Sequence, residues 1–508
     1  MHNNTLDNSS QKTFFGHPVG LFILFFTEMW ERFSYYGMRA ILTLYLVAET
    51  GTNNPGLGWT EESAIALYGW YTMFVYVASI PGGIIADKLL GQRKSVFIGG
   101  LLLVAGHTVL AIEVLWAFYT GLFLIVLGVG MLKPNISTMV GGLYPKNDQD
   151  KRDMGFYIFY MGINLGAATS ALLVGYVGEK IGWHYGFGLA GIGMALGQLT
   201  YWYGQPYLSH VGNLVVEEKD TIETTENNNL IASIFQASNS IIGFAFTFAL
   251  GLFIWGYWGS LAYGLLVMGL AFAVGVAIVV YNDGNKVEKD RILVTYLSFL
   301  IIIIFWGAFE QAGGLMNIYT KQKTDLSLGS FMVPASWFQS VNAIFILMFA
   351  PLVGSFWVWW KNRKNESSAL FKMAIGVIIM GWGFFFMSIA SSEVTYDAAG
   401  ELIQKSGMQW LVLAYLFHTL GELCASPVAL SFITKLAPER WMAFMMGSYF
   451  AATGLGNKVA GLIGESASDL GELAIFTGIG VFCTIFGILV ILIRKPLQRL
   501  THGAEDSE

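Results

Sequence analysis

The chain has 508 residues, of which 55% are hydrophobic and only 12% charged, with a formal net charge of −6. Soluble globular proteins carry about a quarter charged residues, so this composition excludes a soluble domain and points to an integral membrane protein. The weakly acidic balance gives no basis for nucleic-acid binding, and two cysteines in apolar runs, Cys424 and Cys483, exclude a disulfide framework or a cysteine metal site.

In chain order, residues 1–18 read as a polar cytoplasmic tail. The apolar run 19–47 is too long for a signal-peptide core and reads as a retained span. Segments near the ~20 residues that cross a bilayer follow at 61–87, 94–116, 118–143, 154–177 and 184–204. An acidic cytoplasmic linker occupies 205–230, and spans at 231–257 and 260–281 form an inserted hairpin, 231–281. Six more spans lie within 282–493, at 291–315, 336–360, 369–391, 408–434, 441–463 and 471–493, before a tail at 494–508. The prediction is an all-α membrane protein of 14 transmembrane helices, two six-helix bundles (19–204 and 282–493) plus the hairpin. Lys and Arg crowd alternate loops such as 88–94, 146–152 and 361–364, while the opposite loops hold only Lys180, Lys321, Lys323 and Lys405. That bias places both termini in the cytoplasm of a multi-pass cell-membrane protein.

The first span carries charges where they are expensive, about 2.5–3.5 kcal/mol each on insertion scales. Glu28, Arg32, Tyr35 and Arg39 fall nearly in line at 100° per residue, with Glu31 and Tyr36 flanking them. That face is predicted to avoid lipid and to mark a pathway. Lys133 lies within the span that also holds Pro134, and Glu310 and Glu422 lie within spans of the second bundle.

Several motifs then carry a resemblance. Glu28-Met-Trp-Glu31-Arg32-Phe33-Ser-Tyr35-Tyr36-Gly37 resembles the signature of the proton-dependent oligopeptide transporter family. Phe156 to Gly166, with Tyr160 and Asn164, resembles that family's second signature, and Gly83 to Lys94 the loop motif of the wider major facilitator superfamily. Further similar stretches are Phe305 to Gln311, Phe338 to Asn342 and Gly421 to Pro427. Two positions depart from the pattern: Gly69, where some members have histidine, and Tyr449, where tryptophan is frequent.

A zwitterionic peptide needs an anion site and a cation site. Arg39 and Lys133 suit its carboxylate, and Glu422 suits its ammonium. Asn164 and Asn342 suit its amides, and Tyr35, Tyr36, Tyr76, Trp306, Ser426 and Tyr449 are expected to wall the pocket. The resemblance implies the same assignments. Proton coupling is expected from Glu28, Glu31, Arg32, Lys133 and Glu310, with Arg39–Glu310 as a gate between the two bundles. Pro134, Pro427 and Gly313–Gly314 are expected hinges. His107 and His418 read as hydrogen-bonded structural residues, and Lys458 has no assigned role.

The function this implies is proton-coupled symport of di- and tripeptides by alternating access. The alternative is a same-fold transporter of another small molecule, such as nitrate, a peptide-like drug or a metabolite. No enzyme constellation, cofactor, metal site or Walker loop is evident. The proton gradient is the expected energy source, and peptide, protons and the bilayer the expected partners, with no obligate protein partner.

Overall fold

The computed structural model of the protein describes residues 12–145, 148–214, 261–438 and 441–504. Helices dominate because hydrocarbon offers backbone N–H and C=O groups no water, and a helix satisfies them within one segment. The first series is α1 Val19–Val47, α2 Glu61–Val77, the short α3 Ser79–Ile85 with a π turn Ala86–Leu90, α4 Gln92–Leu110, α5 Leu115–Gly142, α6 Gln149–Lys180 and α7 Trp183–Gly204. Beyond residue 260 come α8 Leu261–Asp283, α9 Lys286–Phe309, a 3-10 turn Glu310–Ala312 and α10 Leu315–Lys323. The series ends with α11 Phe338–Asn362, α12 Ala369–Glu393, α13 Met408–Leu436, α14 Met442–Glu465, the single-turn α15 Ala467–Leu470 and α16 Glu472–Leu500. Strands are confined to short pairs in loops, such as Thr324–Asp325 beside Ser406–Gly407.

Among the described residues, nine helical stretches are long and apolar enough to cross a membrane. The chain is therefore a multi-pass, all-α membrane protein. The 29-residue α1 is not one of the nine, because its charges interrupt the apolar run. Its length, about 43 Å at 1.5 Å per residue, still exceeds a bilayer core. Helix α8 falls on the segment expected at 260–281; the other expected arm, 231–257, lies outside the described residues. The tail expected from residue 494 instead continues α16 to Leu500.

Local rules set several boundaries. Thr60 caps α2 by accepting from Ser63 N at 3.3 Å, with Glu61 and Glu62 in the first turn. Gly313 and Gly314 separate the 3-10 turn from α10, so the helix expected across 291–315 breaks just past Glu310.

Two compact units result. The first takes the described residues of Met1–Val215 with Leu300–Leu430 and Tyr449–Ile493. Inside it α1 is central: it packs along α6 and α7, and Leu21, Leu24, Met38 and Ile41 are fully buried. The second takes the described residues of Val216–Phe299, Ser431–Ser448 and Arg494–Glu508. It is tied by Trp441 Nε1 donating to Asp283 at 2.9 Å and Arg291 Nε donating to Thr501 O at 3.0 Å.

Candidate functional site

The site is built along α1. Arg32 Nε lies 3.0 Å from Glu28 Oε1, the i, i+4 pair that helix geometry favours, and Arg32 also contacts Glu31. All three are buried. Glu28 Oε2 and Arg32 Nη2 have no hydrogen-bond partner among the described residues. Lys133, beside Pro134 on α5, makes no ion pair among the described residues. Its Nζ lies 3.9 Å from the Tyr76 ring centroid, a cation over an aromatic face, within electrostatic reach of Glu31 and Glu28. The Tyr36 ring lies 5.9 Å from the Arg32 guanidinium and 5.3 Å from that of Arg39, so it bridges this cluster to the next.

That next group joins the two halves of the first unit. Arg39 Nη1 lies 3.1 Å from Glu310 Oε1, and Tyr68 Oη donates to Glu310 Oε2 at 2.6 Å. A Cβ on Gly313 would collide with the Tyr68 hydroxyl, so only glycine lets that phenol reach Glu310. Thr43 Oγ1 donates to Gly313 O at 3.0 Å, and Asn317 Nδ2 donates to Ala40 O at 2.9 Å. Glu179 of α6 accepts from Ser336 N at 2.9 Å, Ser336 Oγ at 2.7 Å and Lys321 Nζ at 2.7 Å. Near Lys180 and Lys321 these bonds link α6 to α10 and to the turn before α11. Near the opposite ends of α6 and α11 there is a second, open cleft, lined by Tyr157, Gly354, Val358 and Arg363 among others.

Between them lies a cavity of about 160 Å³. Of the residues expected from sequence, Tyr36, Arg39, Tyr76, Asn164, Trp306, Glu310, Asn342, Glu422 and Ser426 line it. Asn342 Nδ2 donates to Glu422 Oε2 at 2.9 Å and to Thr419 Oγ1 at 3.0 Å, which fixes that carboxylate in place. Tyr35, Lys133 and Tyr449 do not line it. The Tyr35 ring is 5.4 Å from that of Tyr36, Lys133 lies against Tyr76, and Tyr449 lies beside Ser426. Glu28, Glu31 and Arg32 form their own buried cluster.

Sequence reasoning missed several lining groups, among them Tyr160, Ser170 and Tyr415, as well as Tyr68 on Glu310. A signal existed for two of them: Tyr160 stands four residues before Asn164, and Tyr415 seven before Glu422, each on the same helix face. The reading of His107 and His418 as hydrogen-bonded residues is corrected. Both are buried, and neither ring has a hydrogen-bond partner among the described residues. Lys458 acquires a setting: its Nζ is 3.0 Å from Glu465 and 4.7 Å from the Trp70 ring centroid. Gly69 lies at a helix crossing, where a Cβ would stand 2.9 Å from Gly461 Cα, so no larger residue fits without moving α2 from α14.

Comparison with known proteins places this geometry. The sequence profile of the POT family matches residues 93–473. A di-/tripeptide transporter of Lactococcus lactis subsp. cremoris is 36% identical over 97% of this chain and 98% of its own. The peptide transporter YePEPT of Yersinia enterocolitica subsp. palearctica is 34% identical over 98% of each chain. The fold is similar to a crystal structure of peptide transporter POT in complex with sulfate, at TM-score 0.82 and 35% identity, covering 96% of this chain and 97% of that one. It is also similar to a POT family transporter in complex with 5-aminolevulinic acid, at TM-score 0.79 and 31% identity, covering 96% and 98%. With a family match across most of its length, the chain belongs to the POT family and is a transporter rather than an enzyme.

Proposed function

We propose that the protein imports di- and tripeptides across the cell membrane by alternating access, with protons moving in alongside them and both termini in the cytoplasm. One observation carries the reading: a single cavity is lined by a guanidinium, Arg39 of α1, and a carboxylate, Glu422 of α13, together with the amides of Asn164 and Asn342. Such a site matches a molecule bearing a carboxylate, an ammonium and amides. A plain anion such as nitrate has no use for Glu422. The relatives named as di-/tripeptide transporters support the same cargo.

Arg39 on the cavity wall, and Lys133 from behind the Tyr76 ring once that ring turns aside, would take the peptide carboxylate, and Glu422 its ammonium. Tyr36, Tyr76, Trp306, Ser426 and Tyr449 would shape the space for side chains, with Tyr35 supporting Tyr36. The bonds of Glu310 and Glu179 close the outer end, and the cleft beside Tyr157 and Arg363 opens at the Lys- and Arg-rich end, the arrangement of an inward-facing carrier. On this reading the bundles at 19–204 and 282–493 rock against each other, hinged at Pro134, Pro427 and Gly313–Gly314, while 231–281 is an insertion and 205–230 a linker.

Coupling follows from charge balance in a dry cluster. Glu28 and Glu31 are balanced by Arg32 and Lys133. When a peptide carboxylate engages Lys133, one carboxylate loses its counter-charge and is favoured to hold a proton. Each proton supplies roughly 2.3 kcal/mol per 100 mV and ~1.4 kcal/mol per pH unit, so no bound cofactor is needed.

A zwitterionic metabolite is the second reading, because a relative was solved with 5-aminolevulinic acid, which has the same two charged ends. Counterflow in proteoliposomes separates them. Labelled dialanine should enter vesicles preloaded with dialanine; absence of that exchange, with labelled 5-aminolevulinic acid entering vesicles preloaded with 5-aminolevulinic acid, would favour the second reading.

A further inference from the structure

Lys458 is a buried charge outside the cavity and outside the α1 cluster. It is 2% exposed, and its Nζ lies 3.0 Å from Glu465 and 4.7 Å from the Trp70 ring centroid. These two contacts differ in kind. Glu465 belongs to the same helix, so that ion pair travels with α14. Trp70 belongs to α2, and its ring is stacked on that of Phe74, one turn along, at 5.8 Å and 20°. The cation therefore reaches from one bundle to an aromatic face of the other. Around it the two helices meet closely. Asn457 Nδ2 donates to Thr72 O at 3.4 Å, and a Cβ on Gly69 or Gly461 would stand 2.9 or 3.0 Å from the other's Cα. Ile65, 2% exposed, packs on the same seam against Gly464. The seam lies at the end of the unit that holds Glu179. Asn54, before α2, donates to Gly178 O at 2.8 Å, and Glu472, after α14, contacts Lys323.

We propose that Lys458 and Trp70 form a latch that holds the outer end of the carrier shut and so weights the inward-facing state. The proposal rests on alternating access, in which α2 parts from α14 when the outer end opens. On parting, Lys458 keeps Glu465 but exchanges the indole face for water. A cation over a tryptophan face is worth most where water is excluded, as on this seam, so the exchange disfavours opening. The latch biases a two-state equilibrium through a contact made in one state alone.

The test places Ile65→Cys on the seam, in proteoliposomes, with an impermeant maleimide outside. The chain without that substitution gives the background from Cys424 and Cys483. Trp70→Leu and Lys458→Met should each speed labelling by roughly 3- to 30-fold, the weight of one cation–π contact. Trp70→Phe, which keeps a ring face, should speed it less. The double variant should label no faster than the faster single, because both substitutions remove the same contact. Lys458→Met should keep a melting temperature close to that of its parent, so that faster labelling is not unfolding. Labelling unchanged in Trp70→Leu or in Lys458→Met overturns the proposal. A double variant in which the two effects multiply overturns it too, since the residues would then act separately. If labelling follows the prediction while the wild type shows no dialanine counterflow, the peptide reading has failed and the latch stands.

Discussion

Arg39 Nη1 lies 3.1 Å from Glu310 Oε1, with Tyr68 Oη at 2.6 Å from the other carboxylate oxygen. The pair joins α1 to the turn that follows α9, and all three side chains are buried. It therefore ties the two halves of the first unit together at the cavity wall.

Removing the carboxylate leaves Arg39 buried without its counter-ion. Breaking a buried pair in this way costs about 3–5 kcal/mol. Glu310→Ala should lower the melting temperature of purified protein markedly, whereas Glu310→Gln, which can still accept from Tyr68, should lose less. Equal melting temperatures for the two variants would show that the bond from Tyr68 adds nothing, and a wild-type melting temperature in both would show that the charge does not matter.

At the same closed end, Glu179 accepts three bonds from Ser336 and Lys321. Glu179→Ala should release the outer end. A cysteine placed at Ser336 should then be alkylated by an impermeant reagent several-fold faster than in the otherwise wild-type chain. Unchanged labelling would place the closure elsewhere.

Lys458 and Glu465 allow an asymmetry test. Lys458→Met replaces a charge by a side chain of similar length beside Trp70 and should cost little. Glu465→Ala leaves the ammonium short of a partner and should destabilise by about 1–3 kcal/mol. Thermal unfolding of the two variants in one detergent reads the difference, and the reverse order would contradict the setting described here.

Gly69 admits no side chain. Gly69→Ala should cost about 1–3 kcal/mol by forcing α2 from Gly461, and Gly69→His should not yield transporting protein. A stable, active Gly69→His would mean that α2 and α14 separate easily.

The sequence made the α1 cluster legible because charges within an apolar run have few reasons to be there. Arg39–Glu310 was legible for the same reason, each being a buried charge of opposite sign in a different half. Tyr68, Tyr160 and Tyr415 were not, because an aromatic ring among apolar helices looks like packing until the rotation of its helix is known. The empty hydrogen-bonding of His418 was hidden too, since its neighbours Phe384 and Gly383 come from another helix. Tyr35, Lys133 and Tyr449 stand behind the cavity lining, because one helix step decides which side chains face the space.

The proposed coupling of protons to peptide uptake rests most directly on Glu28. The decisive measurement is uptake of labelled dialanine into proteoliposomes with and without an inward proton gradient, for the wild type and Glu28→Gln. The account predicts gradient-driven accumulation in the wild type, and loss of accumulation in Glu28→Gln with peptide counterflow retained. Folded wild-type protein with neither uptake nor counterflow would contradict the cargo, and full accumulation by Glu28→Gln would contradict coupling at this residue.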